Sequence, residues 1–147
     1  MGLFDSLFGG FEGGGKLTPQ EAFAGILMGA SGCDGHIGDE EVQALATALL
    51  RMKLYQRINE KQFGQILNKV HGILKKKGAS FLVEGCAAGL PKELRNAAFT
   101  NAVDIVLADG VVEDDEKAFI ELLAGKLEID GTTARTIAEI MVVKNRG

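Results

Sequence analysis

Two stretches of this chain carry the same pattern. Asp34-Gly35-His36-Ile37-Gly38-Asp39-Glu40-Glu41 returns, in its main features, as Asp109-Gly110-Val111-Val112-Glu113-Asp114-Asp115-Glu116, at an offset of 75 residues. Apolar positions beyond the motif also match, such as Leu45 with Ile120. A period this long describes one supersecondary unit used twice. Each copy ends a helix, turns at Asp-Gly and starts another helix with a run of acids. Gly35 and Gly110 supply the left-handed conformation that closes a helix, and Asp34 and Asp109 can accept bonds from backbone amides two residues on.

The rest of the chain extends the helical reading. Thr18-Pro19-Gln20-Glu21 is a capping box with proline at the first helical position. Phe23, Ile26, Leu27 and Ala30 then recur at helical spacing, which predicts a helix over about 19–33. Further helices are expected over about 39–53, 60–77, 80–88, 91–108, 114–127 and 132–144. Asn59 with Gln62, Pro91, and Asp130 or Thr132 mark the starts of three of them. The fold class is all-α: about seven helices, duplicated helix–acidic loop–helix units and a pseudo-two-fold axis relating residues 20–55 to 95–130. The first unit covers about 19–77, the second about 91–144, and residues 17–147 make one domain. Core positions should include Phe23, Leu27, Leu45, Leu49, Phe63, Leu67, Leu94, Val103, Ile120 and Ile137.

Composition supports a folded chain and excludes several functions. Apolar residues make up 46% of the 147 and charged residues 24%, an ordinary globular balance. The net charge is −4, so nucleic acid is not an expected partner. The one basic run, Lys75 to Lys77, ends a helix and complements its dipole. No stretch approaches the ~18 apolar residues of a membrane span, and no secretion signal is present. A cytoplasmic protein with both thiols reduced is the simplest reading.

Function points to the acids. The two motifs hold nine of the chain's twenty acidic residues. Asp39, Glu40, Glu41, Glu113, Asp114, Asp115 and Glu116 project from helix starts, while Asp34 and Asp109 lie inside the turns. The structural reading is helix-start chemistry, because the dipole favours negative charge there. The functional reading is a site for a basic partner or a divalent cation: calcium, magnesium or zinc. An EF-hand is excluded, since acids do not recur at loop positions one, three and five. If the units are related by a two-fold, both loops open at one end of the bundle. No nucleophile elbow or Walker loop is present. Cys33, His36 and Cys86 would leave a soft-metal site a ligand short. Carboxylates beside Cys33 would raise its pKa, so thiol-dependent oxyanion reduction ranks third. The chain is not expected to be an enzyme.

At these motifs the sequence resembles the TerB family of tellurite-resistance proteins. LADGVVEDDEKAFIELLAGKLEID is the closer copy and GASGCDGHIGDEEVQAL the looser one, and the resemblance extends over about residues 20–130. It implies an all-helical fold and a role in tellurite resistance and related stress responses. It also implies work beside other Ter proteins, a membrane-embedded one among them, at the inner face of the membrane. A second copy of the chain is a further candidate partner. The family's acidic loop residues, suspected of holding metal, map onto Asp34, Asp39, Glu41, Asp109, Asp114 and Glu116. Its usual hydroxyl or acidic cap is replaced by Gly38 in the first copy.

Residues 1–16 stand apart. Leu3, Phe4, Leu7, Phe8 and Phe11 would share one helical face, and Gly9, Gly10 and Gly13 to Gly15 interrupt it. This reads as an apolar segment on a glycine-rich tether, more suited to docking on protein than on anionic lipid. Met1-Gly2 with Ser6 also fits the short myristoylation pattern.

Overall fold

A computed structural model describes residues 17–33, 37–108 and 112–146. Residues 1–16, the turn residues Asp34, Gly35, Asp109 and Gly110, and His36 lie outside the described residues. The described residues form seven α-helices and no strand. In chain order they are α1 (Pro19–Ser31), α2 (Asp39–Leu50), α3 (Glu60–Lys77), α4 (Ala79–Gly89), α5 (Lys92–Val106), α6 (Asp114–Lys126) and α7 (Gly131–Lys144). A short 3₁₀ turn, Lys53–Tyr55, joins α2 to α3.

Helix starts follow their capping residues. Thr18 Oγ1 accepts from the Glu21 amide at 3.1 Å, and Glu21 Oε1 accepts from the Thr18 amide at 2.7 Å. Asn59 and Gln62 form the same reciprocal pair at 2.8 and 3.2 Å. Asp130 caps α7 by accepting from the Thr132 and Thr133 amides. Each pair satisfies amides that the helix itself leaves open.

Helix α1 is the centre of the fold. All ten residues from Glu21 to Ala30 are buried, because α4, α5, α3 and α2 surround the helix. Its glycines decide how close α4 can come. A methyl group on Gly29 would stand 2.6 Å from the Val83 side chain, and one on Gly25 would strike the Cys86 sulfur. Helix α5 packs on another side of α1, and α7 packs on α5. Lys144 Nζ at 3.1 Å and Asn145 Nδ2 at 3.0 Å from Asp104 Oδ1 fix the end of α7 against α5.

The structure corrects several sequence expectations. Helix α2 stops at Leu50, and the 3₁₀ turn follows it. There Tyr55 donates to the Gln20 carbonyl at 2.8 Å and stacks edge-on against Phe63 at 5.6 Å. Pro91 stands one residue before α5, with extended backbone. Of the expected core, Leu94, Ile120 and Ile137 are only half-buried, while the other seven are buried. In α6, Phe119 and Leu123 turn inward in place of Ile120. Ile137 lies on α7, none of whose residues is fully buried.

Candidate functional site at the acidic end of the bundle

Two helices start with acids, and each uses its third residue to close its own end. Glu41 Oε2 accepts from the Gly38 amide at 3.0 Å, and Glu116 Oε1 accepts from the Glu113 amide at 2.9 Å. Neither Gly38 nor Glu113 makes a side-chain cap of its own. The glycine in place of a hydroxyl therefore costs α2 nothing that α6 retains. Glu41 and Glu116 are thus structural residues as well as site candidates. Asp39, Glu40, Glu113, Asp114 and Asp115 are exposed at the first turns, where the helix dipole favours them.

These starts share one end of the molecule. Glu41 and Glu116 line a single cleft of about 460 Å³, with Ser31, Cys33, Ala44, Ala48, Ile105 and Ala108. The last turns of α1 and α5 form one side of it, so the ends from which the two Asp-Gly turns depart are also together. A second, larger groove of about 820 Å³ lies beyond, with Cys33 and Asp115 on its wall, Lys75 at its rim and Leu74, Phe119 and Leu122 inside.

The donor set bears on a cation. Among the described residues no group of three or more His, Cys, Asp or Glu side chains is placed to hold a metal ion. Glu41 and Glu116 each use one oxygen to accept from a backbone amide, and their carboxylates keep further lone pairs. Calcium takes about six to eight oxygens and zinc about four ligands. A cation here would need further oxygens beyond those of the described side chains to complete its shell.

The buried thiol of Cys86 is not reactive. Cys86 is completely buried against α1, and burial first, then the charge of Glu21, pushes its pKa up. A thiol that stays protonated is a poor nucleophile and a poor ligand. Cys33 is half-buried at the end of α1, and neither cysteine is in a disulfide. Glu21, Tyr55 and Cys86 instead make a small buried polar group beside the start of α1. The capping box marked Glu21 in the sequence, but its burial depends on the distant Tyr55 turn and on α4.

The geometry defines an all-helical domain that opens two acid-started helices at one end. The family described as tellurite resistance protein TerB matches residues 20–139, and the chain belongs to that family. No curated protein and no solved structure matches it. No described helix is long and apolar enough to cross a membrane.

Proposed function

We propose that this protein is a non-enzymatic interaction module of tellurite resistance and the related stress response, and that its acidic end engages a basic surface of a partner Ter protein. The observation that carries this reading is the common cleft of Glu41 and Glu116, with Asp39, Glu40, Asp114 and Asp115 exposed beside it. Clustered exposed carboxylates steer a cationic partner and lose that attraction as salt rises. A membrane-embedded partner would hold the protein at the inner face of the membrane without a span of its own. The test is co-purification of Ter proteins with the wild type and with a variant carrying Asp39→Asn, Glu40→Gln, Asp114→Asn and Asp115→Asn. Loss of capture in the variant, and in wild type at high salt, supports the reading. Equal capture by both proteins refutes it.

A second reading is a divalent-cation sensor or buffer that uses the same carboxylates. That the carboxylate-bearing residues Glu41 and Glu116 line one cleft favours it. A cation that binds the folded state raises the melting temperature by mass action. Melts with EDTA, calcium, magnesium and zinc decide it: no shift with any ion removes this reading and leaves the partner.

A further inference from the structure

The basic residues are placed as unevenly as the acids. Between Arg51 and Lys77 stand eight of the chain's sixteen Lys and Arg, with a single acid, Glu60. All eight are exposed. Among the described residues the three ion pairs lie elsewhere, at Arg95, Lys126 and Lys144. The charge of this stretch is therefore left to solvent or to a ligand.

Two of these cations, Arg57 and Lys69, line a groove of about 670 Å³ between the start of α1 and the first half of α3. Ile58 and the buried Ile66 are its apolar part, and four carboxamides, Gln20, Gln62, Gln65 and Asn68, make up most of the rest. Their bonds show which atoms remain. The Gln62 oxygen accepts from the Asn59 amide, which leaves its NH2 group to donate. Gln20 donates to the Leu54 carbonyl at 3.3 Å, which leaves its oxygen to accept. Among the described residues the Gln65 and Asn68 side chains make no hydrogen bond, except that none is excluded to water, so each offers both. Glu21 is the carboxylate of this wall. It is only 2% exposed and accepts from the Thr18 amide.

We propose that this groove binds an acidic peptide segment of a partner protein. A peptide backbone presents donors and acceptors in turn, which carboxamides match; a simple oxyanion presents acceptors alone. Gln62 to Lys69 covers about 10 Å along α3, the length of roughly three extended residues. The Asp or Glu side chains of the segment meet Arg57 and Lys69 at the rim, where the flat guanidinium suits a carboxylate. Glu21 repels acids from the depth, so backbone lies over Ile58 and Ile66. The groove and the acidic cleft sit at opposite ends of α1, about 20 Å apart, and share no residue. Both can be filled at once, by partners of opposite charge, and this proposal does not rest on the reading of the acidic cleft.

Fluorescence anisotropy of the full chain with a labelled peptide of Glu-Asp repeats is the test. Wild type binds it saturably, more weakly as salt rises. A peptide of Gln-Asn repeats does not bind. Arg57→Gln with Lys69→Gln, both at exposed positions, weakens binding at least ~10-fold with an unchanged melting temperature. Gln65→Ala with Asn68→Ala weakens it as well. The variant with Asp39→Asn, Glu40→Gln, Asp114→Asn and Asp115→Asn binds as wild type does, which separates this site from the acidic cleft. Amide resonances of Gln62 to Lys69 shift on titration. Four results overturn the proposal: no saturable binding, equal binding by the Arg57→Gln, Lys69→Gln variant, displacement of the peptide by an equal concentration of inorganic phosphate, which marks a plain anion site, or binding of anionic vesicles that depends on Arg57 and Lys69 and displaces the peptide.

Discussion

Gly25 and Cys86 are in such close contact that no side chain fits between the helices that carry them. Gly25→Ala gains about 0.5–1 kcal/mol of helix preference and loses about 1–3 kcal/mol to overpacking. The net outcome is a less stable protein, seen as a lower melting temperature. Adding Cys86→Ala removes the sulfur and returns part of the loss, a coupling that a double-mutant cycle measures. A Gly25→Ala protein more stable than wild type contradicts the contact.

The acids divide into two groups under mutation. Glu116→Ala removes the bond to the Glu113 amide and costs roughly 0.5–2 kcal/mol, as loss of a cap does. Glu116→Gln keeps an acceptor oxygen and most of that stability. Asp114→Asn with Asp115→Asn leaves stability equal or slightly higher, because relief of repulsion offsets the lost dipole interaction, while partner capture falls. Urea unfolding of the three variants checks the separation.

Alkali weakens the fold through two buried groups. Burial, and then Cys86, pushes the Tyr55 phenol up; burial, and then Glu21, does the same to the Cys86 thiol. Their contribution is complete below the ordinary values of about 8.5 for Cys and 10 for Tyr. Above these the unfolded chain ionises while the folded chain holds its protons, so stability falls by up to about 1.4 kcal/mol per pH unit for each group. Unfolding midpoints between neutral pH and pH ~10.5 show the decline. The pair Tyr55→Phe, Cys86→Ala flattens it.

Thiol reagents distinguish the cysteines. Cys86 stays unmodified in the native protein and reacts when urea unfolds it. On the proposed function, a Cys86→Ala strain keeps its tellurite tolerance. Loss of tolerance without loss of stability would restore the reductase idea.

Local signals carried most of the fold. Asn59 with Gln62 and the run of apolar residues behind them placed α3 over 60–77, and the structure agrees. The contacts are short in sequence, so the chain announces them. The Lys53–Tyr55 turn escaped because a single 3₁₀ turn has no periodicity, and its anchor, the Gln20 carbonyl, lies 35 residues away. Ile120 was expected inside from helical spacing alone, but the inward face of α6 is chosen by α1 and α4, which draw in Phe119. At the site, the acids were plain and their capping geometry partly so. That Glu41 and Glu116 border one cleft depends on how α1 and α5 pack, which no local pattern states.

The enclosed central helix has a consequence for biosynthesis. Helix α1 has ten successive buried residues and therefore no face suited to water. Two of the helices that enclose it, α4 and α5, begin about sixty and seventy residues further along the chain. On the ribosome α1 emerges long before them and stays a bare apolar stretch until they are made. The N-terminal half cannot complete its own interior, so a chain cut after α3 would aggregate or recruit a chaperone, and folding is completed only once α5 has been translated.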